Sequence, residues 1–117
     1  MNALLILNDS PYGSERVYNG LRLAEALQKQ DPNGEVTVFL MADAVFAARA
    51  GQKTSEGYHN VERMLNRVIS GSGKVLLCGT CMDARGLLED QIMDGVTRST
   101  MAALAEATAK ADKVLVF

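Results

Sequence analysis

The sequence predicts an α/β domain three layers deep (α/β/α), with a mainly parallel sheet of four or five strands between helices. Three observations carry that reading. Residues 3–7, 36–40 and 75–77 are short runs that are apolar or β-branched at nearly every position, as in strands buried on both faces. Between them lie segments with apolar residues at helical spacing, such as Val17, Leu21, Ala24 and Leu27. The chain has 117 residues, enough for a real core but not for two, so residues 1–117 read as a single domain.

In chain order, residues 3–7 form the first strand, and Asn8, Asp9, Ser10, Pro11, Tyr12 and Gly13 form the loop after it. Ser14 is expected to cap the next helix, and Glu15 in its first turn suits the helix dipole. Asp31, Pro32, Asn33 and Gly34 end that helix with strong turn chemistry. The second strand covers residues 35–41. Residues 42–50 carry only Asp43 and Arg49 as charges, so they read as a helix apolar all round, expected to roof a pocket or enter a subunit interface. Gly51 to Gly57 is a polar loop. From Tyr58 onward, Val61, Met64, Leu65, Val68 and Ile69 fit an amphipathic helix that stops at Gly71, Ser72 and Gly73. The third strand ends at Cys78. Residues 87–96 are ambiguous apart from a bend at Asp94 and Gly95. Thr97 or Ser99 then caps a helix with Met101, Leu104, Ala105 and Thr108 on one face, and residues 113–117 close the sheet.

Cys78 and Cys81 are the two cysteines of the chain, and both fall where the third strand meets its loop. Gly79 and Thr80 permit a tight turn, after which Cys81, Met82, Asp83 and Ala84 start a helical turn. A thiol beside free amide groups and near Arg85 would be more ionised than the few per cent expected of a cysteine with a pKa of about 8.5. Asp83 opposes that effect. The CxxC spacing also brings the two sulfurs within reach of each other. In open parallel sheets, ligands gather outside the carboxyl ends of the strands. Tyr12, Val45 or Phe46, and Cys78 are therefore expected to surround one small pocket there.

Composition narrows the partners. The net charge is −2, Lys and Arg form no basic block, and three Phe with three Tyr make no ladder for stacking bases, so no nucleic-acid partner is expected. The apolar run near the N-terminus is too short for a secretory signal or a membrane span, which predicts a cytoplasmic protein with no membrane partner. Cysteines in such a compartment are more often reduced than bridged. Cys78, Cys81 and His59 fall short of the four ligands of a structural zinc site, so neither metal nor cofactor is expected. Hydrophobic residues make up 48% of the chain and mean hydropathy is +0.02, which leaves apolar surface for other subunits.

Several stretches together resemble one family. They are Asn8 to Ser14 (NDSPYGS), Phe39 to Val45 (FLMADAV), Gly51-Gln52-Lys53 with Gly57-Tyr58, Cys78 to Gly86 (CGTCMDARG), Asp94-Gly95-Val96 and Asp112-Lys113-Val114. In order and spacing they are similar to the DsrE/DsrF-like family, especially its small YchN-like members, nearly end to end. The resemblance implies an α/β/α fold and oligomers built from trimers, hence a homotrimer or homohexamer. In the sulfur-relay members it implies a cysteine that carries sulfur as a persulfide. That cysteine closes its strand eight residues before the glycine of an Arg-Gly pair, a position that Cys78 occupies relative to Arg85 and Gly86. Cys81 departs from the relay members, which have a small apolar residue there, and fits the paired cysteines of the YchN-like subgroup.

Two functions remain open. The first is a sulfur carrier of the sulfurtransferase type, exchanging sulfur with donor and acceptor proteins through Cys78, with Arg85 steadying the anion and Cys81 resolving the persulfide as an internal disulfide. The second is a non-catalytic oligomeric subunit for binding or assembly, whose cysteines are structural or redox-sensitive.

Overall fold

The computed structural model describes residues 1–117. Five strands, β1 (Asn2–Leu7), β2 (Glu35–Leu40), β3 (Lys74–Cys78), β4 (Val96–Ser99) and β5 (Lys113–Val116), pair in the order β4-β3-β2-β1-β5, all parallel. The helices are α1 (Arg16–Gln30), α2 (Val61–Ser70), α3 (Gly79–Ala84) and α4 (Met101–Lys110). The expected α/β/α class is the observed one, with the upper of the two strand counts.

Strand order dictates the layers. From β1 the chain steps sideways to β2, β3 and β4 in turn, then returns across the whole sheet to β5. Crossovers between parallel strands are right-handed, so steps in one direction put α1 and α2 on one face, and the reverse step carries α4 over the other. Helix α1 packs on α2, β1 and β2, while α4 packs on β1. Side chains alternate accordingly. Ala3, Leu5, Leu7, Val36, Val38, Leu40, Val75 and Leu77 are buried beneath α1 and α2, whereas Leu4, Thr37, Phe39, Leu76 and Cys78 belong to the α4 face. Helix α1 lies so close to β1 that a Cβ on Gly20 would sit 2.7 Å from the Leu7 Cδ2. Only glycine fits there without displacing that leucine.

Three expectations are corrected. Residues 42–50 do not form a bare apolar helix. Ala42–Ala48 is a 3-10 helix whose Ala44, Val45, Ala47 and Ala48 are fully buried against α2, α3, β2 and β3 of the same chain. Its apolar composition thus serves the domain's own core, and small alanines let it approach the sheet closely. Thr97 and Ser99 are not helix caps but residues of β4. Helix α4 is capped by Thr100, whose Oγ1 accepts the Ala103 amide at 3.1 Å. Helix α2 begins at Val61 rather than Tyr58, because the Asn60 side chain accepts the Arg63 amide at 3.1 Å and so sets the start.

Leu77 is fully buried between β2 and β4. Leu77→Ala should cost about 2–5 kcal/mol in urea unfolding, as core leucine truncations do. Met101→Ala, at an exposed position, should stay within roughly 0.5 kcal/mol.

Candidate functional site

Strand β3 stops at Cys78 because α3 begins on the next residue and takes the Cys78 sulfur as its cap. The Cys81 amide donates to the Cys78 Sγ at 3.3 Å, and the Thr80 Oγ1 lies 3.4 Å from the same sulfur. The helix therefore starts two residues earlier than the sequence suggests, at Gly79. The sulfurs of Cys78 and Cys81 are paired as a disulfide across a Cα–Cα distance of 5.2 Å, within the span such a bridge accepts. The pairing differs from the reduced state expected from composition, and the spacing of the two residues accounts for it.

Cys78 is 6% exposed, and its access is a cavity of about 180 Å³. The register of β3 and β4 builds that cavity, since Cys78 pairs with Ser99 and sets the β3–α3 junction beside the β4–α4 junction. Cys78, Gly79 and Thr80 line one side, Arg98, Ser99, Thr100 and Met101 the other, with Phe39 between them. Sequence reasoning missed this second side. The region carries no apolar run, and Arg98 stands in a strand that alternation could not reveal.

The charges near the cysteines come in two pairs. The Arg98 guanidinium grips both carboxylate oxygens of Asp83, at 3.0 and 2.9 Å. It holds the Asp83 carboxyl below its usual pKa, and Asp83 in turn raises that of Arg98. A Cβ on Gly79 would lie 2.7 Å from the Arg98 Nε, so glycine leaves the guanidinium room to cross the turn. Arg85 donates from Nε to the Asp43 Oδ1 at 2.8 Å and from Nη1 to the Cys81 carbonyl at 3.1 Å. Its hydrogen bonds thus fasten the turn on the Cys81 side rather than reaching the Cys78 sulfur.

Tyr12, Val45 and Phe46 do not line the Cys78 cavity. The Tyr12 hydroxyl donates to the Gln52 side chain and accepts the Val61 amide at 3.1 Å, which ties the loop after β1 to the start of α2. Its ring joins Tyr58, His59 and Tyr18 in one aromatic cluster, with His59 4.3 Å from Tyr18 and 4.4 Å from Tyr58. Val45 is fully buried and Phe46 half-buried. The expected single pocket is thus divided. Tyr12 is held on the α1 and α2 side, while the Cys78 cavity lies beside the start of α4.

The sequence pattern of the DsrE/DsrF-like family matches residues 1–117. Protein YchN of Escherichia coli is 46% identical over 114 residues, covering 97% of each chain. An uncharacterized protein of Methanocaldococcus jannaschii is 34% identical over 117 residues, covering 100% of both. The crystal structure of the E. coli ychN protein superposes with a TM-score of 0.92 at 46% identity, covering 100% of each chain. A protein of unknown function from Methanobacterium thermoautotrophicum, 14% identical, shares the fold with a TM-score of 0.76 over 99% of this chain and 97% of its own.

The Asp83–Arg98 pair yields a pH prediction. Because the folded pKa of Asp83 is depressed, the pair's stabilisation is complete above the ordinary carboxylate pKa and is lost as pH falls through the depressed one. Arg98→Met should raise the Asp83 pKa toward its ordinary value in a carboxyl-carbon NMR titration. An unchanged titration would mean that Arg98 does not govern that carboxylate.

Proposed function

The chain belongs to the DsrE/DsrF-like family, and on that premise we propose that it is a cytoplasmic sulfur carrier of the sulfurtransferase type, with Cys78 as the residue that holds transferable sulfur. The observation that supports this most is the placement of Cys78. Its sulfur ends a strand at the carboxyl edge of the sheet, opens on a small cavity and receives an amide hydrogen bond at 3.3 Å. In the reduced protein the Cys78 thiolate attacks the outer sulfur of a donor protein's persulfide. The S–S bond of the donor breaks and its thiolate leaves, which puts the sulfur on Cys78 as Cys78–S–SH. An acceptor protein's thiolate then takes the outer sulfur and Cys78 leaves as a thiolate. The Cys81 amide and the Thr80 hydroxyl serve that anion directly. Arg85 serves it by holding the Cys81 carbonyl, and Cys81 can expel hydrosulfide by closing the disulfide.

Incubation with a cysteine desulfurase and cysteine should give the wild type a cyanolysable sulfur and Cys78→Ser none. Cys81→Ser should load normally and release more slowly, for want of a second thiol. Equal loading of wild type and Cys78→Ser would leave the alternative, a non-catalytic binding or assembly subunit with redox-sensitive cysteines.

The same reading makes the chain a homo-oligomer, a trimer or a dimer of trimers. The support is no longer the segment around Val45 but the edge strand β5, where Val116 is 66% and Val114 40% exposed. An apolar edge strand left bare invites pairing with another chain. Light scattering at micromolar concentration should give three or six times the mass of the chain, and Val116→Asp should lower that mass. A monomeric wild type would remove the assembly.

A further inference from the structure

The paired sulfurs and the cavity beside them also admit a substrate much smaller than a donor protein. The Cys78–Cys81 disulfide stands two electrons above two thiols, so it can oxidise an incoming sulfur nucleophile without another reagent. Of the two cysteines, Cys78 lines the cavity of about 180 Å³. That volume holds a hydrosulfide ion with several waters, a water's share of the liquid being about 30 Å³. Thr80, Ser99, Thr100 and Arg98 are among the residues that line it, and the Arg98 guanidinium, although paired with Asp83, leaves positive charge at its edge. Cys78 is 6% exposed, an opening that a small anion fills without any movement of the turn.

We propose that inorganic sulfide is a direct substrate of this site, and that hydrosulfide opens the disulfide at Cys78. This rests on the reading of Cys78 as the sulfur carrier, and it names a sulfur source that needs no donor protein. In the step, a lone pair of HS⁻ forms a new S–S bond to the Cys78 sulfur. The Cys78–Cys81 bond breaks, its electron pair leaves with Cys81, and the products are Cys78–S–SH and the Cys81 thiolate. Charge and atoms balance, the sulfide sulfur is oxidised and the Cys81 sulfur is reduced. One disulfide takes up one sulfide. The reverse step, attack of the Cys81 thiolate on the inner sulfur, returns hydrosulfide and re-forms the bridge, so the pair stores sulfide reversibly.

The test uses the intact protein, oxidised with diamide or pre-reduced with dithiothreitol and then freed of reagent. Each sample is given sodium sulfide, trapped with iodoacetamide and read by intact-mass and fragment-ion spectra. The oxidised wild type should gain the mass of one hydrogen sulfide, with the extra sulfur on Cys78, and the pre-reduced wild type should gain nothing. Cys81→Ser, which cannot form the bridge, should take no sulfur from sulfide yet still load from a cysteine desulfurase with cysteine. Reduction of the disulfide without a mass gain, the extra sulfur on Cys81, equal gain by the pre-reduced protein, or failure of diamide to close the bridge would each overturn the proposal. If desulfurase loading of Cys81→Ser persists in those cases, the carrier reading survives. If the desulfurase loads Cys78→Ser as well as wild type, the carrier reading falls with it.

Discussion

One hydrogen bond, from the Cys81 amide to the Cys78 sulfur, holds the site in shape. It ends β3, because the residue that would continue the strand already belongs to α3. It starts α3 by giving an early amide of that helix an acceptor, the service that serine or aspartate renders elsewhere. It also fixes where the sulfur lies relative to Ser99 on the neighbouring strand. A neutral sulfur is a weak acceptor and an ionised one is stronger. The contact is therefore firmest in the thiolate, the form that does sulfur chemistry, so the turn is built to suit the reactive state.

Two arginines brace this turn from different sides. Arg98 reaches from β4 to Asp83 near the end of α3, and Arg85 ties the Cys81 carbonyl to Asp43 ahead of the core 3-10 helix. The carboxylates are mostly exposed, so each pair adds little to stability. Their effect is positional. They also settle a conflict visible in the sequence, where Asp83 stands near a sulfur that ought to carry negative charge. With both carboxylate oxygens on the Arg98 guanidinium, Asp83 no longer presents an unanswered charge to the site.

The central strands, the long helix and the cysteine junction are legible in the sequence because each buries a continuous face, and burial writes itself into apolar spacing. Strand β4 is not. Its residues, Val96, Thr97, Arg98 and Ser99, lie at the sheet edge, where one side needs no partner strand and little burial enforces a pattern. Half of the cavity, including Arg98, therefore leaves no mark in the sequence pattern. The Ala42–Ala48 segment misled for the opposite reason. Composition reveals that a stretch is buried but not which chain buries it, and here the cover is α2, α3 and the sheet of the same molecule. Tyr12 lies in the loop after β1, at the expected end of the sheet, yet a loop's position does not say toward which face a side chain is tied.

Why the reactive sulfur sits where it does follows from the widths of the layers. Five strands about 4.8 Å apart make a sheet roughly 19 Å wide, whereas a helix with its side chains is about 10 Å across. Helices α1 and α2 together therefore cover one face, and α4 alone leaves part of the other open. Two small cavities lie on that open face. One cavity separates α4 from Thr37 and Leu76 at the amino ends of the strands, and another lies at Cys78 near the carboxyl ends. Side chains along β3 alternate between these two faces. Leu77 points under the two-helix layer and is completely buried, while Cys78, one residue later, turns to the thinly covered face and keeps a small opening. A cysteine at position 77 would face the two-helix layer instead of this cavity. The single-residue alternation of a strand, combined with a sheet too wide for one helix, gives this sulfur its access.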